Sequence, residues 1–288
     1  MRIAITGANG QVGHALVAAL TPHHNVVPLT HNDVAIEQRA ATQQLVALQP
    51  EYVIHCAAWT NVDGCARDPQ QALLMNALGT KHVALACQQL DIPLVYISTN
   101  EVFDGTASQP YLEFDRPNPI NPYAYSKWAG EQVVQQLLRR FAIVRVAWVF
   151  GGPRNFVRTV LRLAQERSEL TMVDDEIGNP TYAPHLAHAL GQLVEQQAYG
   201  IFHLVNEGRC SRLEFAQAIL NQAGHNHITL KPIPLAMYKR DSTPPQYGAL
   251  KNFVAATELG IQLPPWQDAL AHALAQPYAA LPTVQHRA

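Results

Sequence analysis

Short apolar, β-branched runs alternate with amphipathic stretches through the first half of the chain. Residues 2–6 form the first run. It stops at Gly7-Ala8-Asn9-Gly10-Gln11-Val12-Gly13 and resumes as Ala15-Leu16-Val17-Ala18-Ala19-Leu20, which reads as strand, tight glycine turn and helix. A second strand is expected over residues 25–30, a helix over 37–49, and a buried strand over 52–58 that ends in small residues, where a ligand could lie close. Asn76 begins a helical pattern carried on by Thr80, Val83, Ala84 and Cys87, and a further strand, opened by Pro93, ends at Thr99. The order β-α-β-α-β-α-β predicts an α/β fold: a Rossmann-like, doubly wound parallel sheet with helices on both faces and ligands at the carboxyl ends of its strands.

After Thr99 come residues 100–105 and a proline-rich loop from Pro110 to Pro122. A helix then runs from Tyr123 to about Arg140 and leads into a strand over 143–150. Beyond Gly151-Gly152-Pro153 the alternation weakens. Helices are expected over 155–166, 185–197, 211–223 and 266–275, with Ser211 and Glu214 spaced as a capping box, and the apolar run 200–206 suits a late strand of the first sheet. The last dozen residues read as frayed. This pattern divides the chain into a dinucleotide-binding domain, 1–150, which also takes the strand near 200–206, and a smaller α/β substrate-binding lobe, mainly 151–288, that closes over the crevice.

Composition narrows the function classes. The 288 residues are 48% hydrophobic and 15% charged with a net charge of −2, so no basic surface for nucleic acid and no acidic tail is indicated. No apolar run approaches the roughly 18 residues of a membrane span, and the chain reads as cytoplasmic, with small-molecule partners. Cys56, Cys65, Cys87 and Cys210 lack the spacing of a disulfide framework or zinc site and are expected as buried free thiols. The histidines at 23–24, 225 and 227 read as loop residues, and no metal site is expected.

Tyr123 and Lys127 are i and i+4 and share a helix face, so the ammonium would lower the phenol pKa from about 10 and make a tunable proton donor. The glycine turn is spaced GxxGxxG. It is either a plain turn or a place where backbone N–H groups meet a pyrophosphate at the positive end of a helix dipole. The second strand ends in Thr30-His31-Asn32 with no carboxylate to repel a 2′-phosphate and no arginine to grip one, which favours NADPH while leaving NADH possible. Asp33, followed by Val34, would lie along the adenine or cap the next helix. Thr99, at a strand end, would point its hydroxyl into the same crevice.

Several stretches together resemble the extended short-chain dehydrogenase/reductases, and within them the dTDP-4-dehydrorhamnose reductases. They are residues 6–13, Ala57-Ala58-Trp59-Thr60-Asn61-Val62-Asp63, 98–105, Tyr123 with Lys127, Trp148-Val149-Phe150-Gly151, Asn155-Phe156, 173–175 and 179–182. The resemblance covers nearly the whole chain. It implies hydride transfer from a nicotinamide to the C4 ketone of a nucleotide-linked 6-deoxyhexulose. Tyr123 would be the general acid, Lys127 its modulator and a ligand of the nicotinamide ribose, and Thr99 the carbonyl polariser. It also implies that Gly7, Gly10 and Gly13, with Gln11 and Val12 between them, seat the pyrophosphate. Thr30, Asp33 and Val34 would serve the adenosine side, and Ala57, Ala58 and Thr60 the ribose and nicotinamide. Asn100, Glu101, Trp148 and Asn155 would join Thr99 at the substrate, and a homodimer is the expected assembly.

The chain departs from the family pattern at informative places. Asn100-Glu101 stands where Asp-Tyr is usual, Val146-Ala147-Trp148 where Thr-Ser-Trp is usual, which loses a hydroxyl, Pro244-Pro245 where Arg-Pro is expected, and Lys251 where an Asp is. Ketone reduction survives these changes, but the choice of sugar could shift. Reduction or epimerisation of another nucleotide-linked keto-deoxysugar, or a non-catalytic NADP-binding regulatory subunit, are the alternative readings.

Overall fold

The computed structural model describes residues 1–275. Its centre is a six-stranded sheet, parallel throughout, built from β1 (Arg2–Thr6), β2 (Asn25–Leu29), β3 (Tyr52–His55), β4 (Leu94–Thr99), β5 (Phe141–Val146) and the strand Gly200–His203. In space the order is Gly200–His203, β5, β4, β3, β1, β2. The inner strands β1, β3, β4 and β5 are buried on both faces, as a parallel sheet covered by crossover helices requires, while the two edge strands are partly exposed. On one face α1 (Gln11–Leu20) and the helix Ala183–Glu195 cover Ile5, Ile54 and Val144 with Leu16, Leu186 and Leu190. On the other, α2 (Ala41–Ala47) packs against a long helical run, and α6 (Pro122–Leu137) lies beyond it, burying Leu45, Val83 and Val134 on Val53 and Tyr96. From β1 the chain steps to β2 on one side and then to β3 on the other. The carboxyl ends of β1 and β3 therefore flank a topological switch point, where open α/β sheets bind ligands.

Helix boundaries differ from the sequence pattern in instructive ways. Regular helix covers only Ala41–Ala47 of residues 37–49, because Val34 and Ile36 are used as buried core residues of an irregular segment and Ile36 packs on Gly79. The run expected to begin at Asn76 begins at α3 (Val62–Arg67) and α4 (Pro69–Leu73), where Asp68 caps with its side chain accepting from the Gln71 N–H and Pro69 takes the first helical position. It continues through a π-helical turn, Leu74–Leu78, into α5 (Gly79–Leu90). The strand expected over 143–150 is interrupted: β5 ends at Val146, Trp148 takes a left-handed φ of 41°, and Val149–Phe150 pairs instead with Thr181–Tyr182.

Past residue 150, the helices Phe156–Glu166, Arg212–Gln222 and Trp266–Ala275 enclose a separate apolar cluster around Phe150, Val160, Phe215, Trp266 and Leu270. The Ser211–Glu214 capping box forms with both of its hydrogen bonds. The expectation for the last dozen residues lies outside the described residues. Among those described, no helix is long and apolar enough to cross a membrane.

Candidate active site

Asn121 starts the site. Its side chain accepts from the Ala124 N–H at 2.8 Å, capping α6, and Pro122 sits in the first helical turn with φ already suited to it. The helix then presents Tyr123, Lys127 and Glu131 at successive four-residue steps, all buried. Gly130 lets the helix approach β4: a Cβ there would lie 2.3 Å from the Tyr96 hydroxyl. That hydroxyl donates to the Lys127 carbonyl, and Lys127 Nζ stands 4.1 Å from the centroid of the Tyr96 ring. Asn76, on the π-helical turn, donates to Ser126 Oγ and to the Trp59 carbonyl, and accepts from the Trp59 N–H. One buried side chain thus ties α6 to the loop after β3.

Thr99, the last residue of β4, hydrogen-bonds Tyr123 through its side chain. The helical spacing predicts a phenol pKa lowered by Lys127. In the folded protein the Tyr123 pKa is raised instead, chiefly by burial and further by the Glu101 carboxylate, and the group that opposes the rise is Thr99, through its hydrogen bond, rather than Lys127. Burial also lowers Lys127 to about 7, although the charge of Glu131 works the other way. Glu101 is raised by burial against a hydrogen bond from Asn121. The hydroxyl pair thus stays protonated, the state in which it can donate to a carbonyl oxygen.

The opposite wall is the glycine turn. Gly7 has φ of 68°, and a Cβ on it would meet the Ala57 nitrogen at 2.6 Å. A Cβ on Gly13 would lie 2.2 Å from the Gly7 carbonyl oxygen. Gly10 caps α1 with no side-chain hydrogen bond, so the first-turn N–H groups face outward unclaimed by any cap. This cradle suits a dinucleotide pyrophosphate. Gln11 spans from it to the far rim, donating to the Val149 carbonyl and accepting from the Gly152 N–H.

These walls enclose a cavity of about 770 Å³. It brings together Gly7, Gly10, Gln11, Val12, Gly13, Ala58, Thr60, Thr99, Asn100, Glu101, Tyr123, Lys127 and Trp148. Ala57 lies behind Gly7, and Thr30, Asp33, Val34 and Asn155 lie outside the cavity lining. Asp33 folds back to accept from the Thr30 N–H and hydroxyl and caps no helix. Those bonds hold its carboxyl below the usual range. Val34 is core, and Asn155 caps the helix Phe156–Glu166. Asn100 points its amide at the Gly248 carbonyl.

Arg212 is one of several cavity residues absent from the candidate set read from the sequence, with Cys56, Ile97, Val146, Pro153 and Arg154. The Arg212 guanidinium stacks 3.6 Å from the centroid of a Trp148 ring and pairs with Glu176 at 2.8 Å. No short motif marks it, because the chain returns to Trp148 only after passing through Cys210–Ser211.

Residues 1–279 match the family model described as RmlD substrate binding domain. A dTDP-4-dehydrorhamnose reductase of Mycobacterium tuberculosis is 36% identical over 96% of this chain and 93% of its own length. The spore coat polysaccharide biosynthesis protein SpsK of Bacillus subtilis is 36% identical over 93% of this chain and 95% of its own. Among solved structures, a dTDP-4-dehydrorhamnose reductase from Bacillus anthracis in complex with NADP superposes with a TM-score of 0.92 at 36% identity, covering 95% of this chain and 98% of that one. With the tyrosine, lysine and threonine converging on a glycine-lined cavity at the sheet's switch point, the chain belongs to the dTDP-4-dehydrorhamnose reductase family of the extended short-chain dehydrogenase/reductases.

Proposed function

We propose that this protein reduces the C4 ketone of a nucleotide-linked 6-deoxyhexulose, with dTDP-4-dehydrorhamnose as the leading substrate and NADPH as the cofactor. The observation that carries the reading is the meeting of Thr99, Tyr123 and Lys127 in the same cavity as the glycine cradle. The nicotinamide supplies the hydride. Thr99 and Tyr123 hold the ketone oxygen between two hydroxyl donors, and Tyr123 passes its proton to that oxygen as negative charge develops there. Lys127 places its ammonium on the same helix face, where it would hold the ribose hydroxyls of the nicotinamide cofactor and, by its charge, favour the phenolate that forms as Tyr123 gives up its proton, the proton being replaced from solvent after product leaves. Gly7, Gly10 and Gly13 admit the pyrophosphate to the N-terminus of α1, and Ala58 and Thr60 line the path to the reacting carbon.

Support for NADPH comes from the NADP complex of the Bacillus anthracis relative and from the second strand's end, where Asp33 is engaged by Thr30. Support for a cytoplasmic setting comes from four free cysteines, three of them buried. Tyr123→Phe tests the acid assignment. Turnover is expected to fall by about 10²- to 10⁴-fold, while NADPH affinity, read by nucleotide fluorescence, is retained. Full activity in that variant would sink the assignment, and a regulatory-subunit reading would be favoured if the unaltered protein binds NADPH and turns over no keto-sugar.

A further inference from the structure

We infer that Glu101 is the specificity-determining residue of this cavity and that it reads the hydroxyl on the ring carbon beside the ketone. The inference rests on the reductase reading above. Thr99 and Tyr123 fix the place of the carbonyl oxygen. Glu101 leaves the same turn, and its backbone N–H donates to Thr99 Oγ1 at 3.2 Å. Its Oε2 accepts from Asn121 Nδ2 at 2.9 Å. Asn121 is itself anchored, capping α6 through its Oδ1 and donating to the Thr243 carbonyl. The carboxylate is therefore fixed to the two elements that carry the carbonyl donors.

The other oxygen, Oε1, meets no donor among the described residues, and Glu101 lines the cavity. The cations near it are engaged elsewhere: Arg212 with Glu176 and the Trp148 ring, and Arg240 with Asp63. In a 4-keto-6-deoxypyranose, the carbon on one side of the carbonyl bears the methyl group and the ring oxygen. The carbon on the other side bears a hydroxyl. Beside the carbonyl, that hydroxyl is the group able to donate to Oε1, because neither a methyl group nor a ring ether has a proton to give. Glu101 is half-buried, and a sugar filling the cavity would exclude the remaining water, so that such a charge-assisted bond counts and a sugar lacking the hydroxyl leaves a carboxylate oxygen unpartnered.

The test is calorimetric binding to the complex of the protein with oxidised NADP, which permits no reduction. Two sugars are compared: the dTDP-linked 4-keto-6-deoxyhexose and its 3-deoxy analogue. The unaltered protein is expected to prefer the hydroxylated sugar by about 50-fold. In Glu101→Ala the ratio of affinities is expected to fall to within about threefold of unity, and in Glu101→Gln, which can still accept from Asn121 but presents a donor to the sugar, to about tenfold or less. NADP affinity of each variant certifies its fold, and the glutamine variant decides the matter should the alanine variant fail that check. Equal affinity for the two sugars in the unaltered protein, binding of neither, or an undiminished ratio in the variants overturns the inference. NADPH oxidation is recorded separately, so discrimination without turnover counts against the reductase reading alone.

Discussion

Tyr123 and Lys127 show how far a two-residue spacing carries an argument. Their shared helix face follows from about 3.6 residues per turn and holds in the structure, but the balance of their charges does not follow. Burial acts on both groups at once and favours the neutral form of each. For catalysis the sign is clear. Lys127 titrates near 7, so its ammonium is present below that pH and is lost as pH rises through it. Glu131 and Cys56 favour its charge, and it in turn depresses His55. The profile of kcat/KM for ketone reduction is therefore expected to decline above about pH 7. Lys127→Arg, which stays charged throughout, should lose that alkaline limb while lowering the rate overall, since a guanidinium overfills a buried ammonium site. A limb that persists unchanged in the arginine variant would assign it to another group. At this scale the proposed proton relay is legible from residue types, since Thr99, Tyr123 and Lys127 do line one cavity. Arg212 is not, because its place depends on a chain return that no local pattern encodes.

At the scale of elements, α6 is the part that joins chemistry to fold. Glu131, two steps along the face from Tyr123, accepts from Ser98 Oγ at 2.5 Å and from Arg145 through Nε and Nη2 at 3.0 and 2.8 Å. Ser98 and Arg145 are paired in the register of β4 and β5. This fully buried group therefore clamps the helix to both strands next to Thr99. Removing one partner leaves an uncompensated buried charge, so Arg145→Ala is expected to destabilise by about 3–5 kcal/mol, measured by urea unfolding; a loss below about 1 kcal/mol would show the pair to be well hydrated. The sequence marks both residues as charges amid apolar runs and supplies no sign that they pair. The π-helical turn at Leu74–Leu78 was equally hidden. Its role, turning Asn76 toward Trp59 and Ser126, needs both partners in place before it means anything.

The whole molecule is the level at which the sequence reads best. Alternation of buried strands and amphipathic helices specifies a parallel sheet, and the switch point beside β1 specifies where its crevice opens. The apolar run near 200–206, read from the sequence as a late strand of this sheet, does return after a long excursion: Gly200–His203 pairs with β5 and forms the edge, a place that alternation by itself does not assign. That edge brings His203 into the core, where its Nδ1 lies 3.1 Å from the Tyr111 carbonyl. His55 is buried between Thr6 and Thr80. Burial lowers both histidines from 6.5 to about 3. The unfolded chain therefore binds more protons than the native one in this window, and stability present above pH 6.5 is lost progressively as pH falls toward 3. Thermal unfolding across that range should show a falling Tm, less steep in a His203→Gln variant that still folds; an equal slope would remove His203 as a cause.

Reduction of a nucleotide-linked keto-sugar in this cavity can be followed through NADPH absorbance in the presence of a limiting, known amount of dTDP-4-dehydrorhamnose. Oxidation is expected to require the sugar, to stop when the sugar is exhausted, and to consume one NADPH for each ketone reduced. Sugar conversion without net loss of NADPH would instead identify an epimerase and contradict the reductase reading.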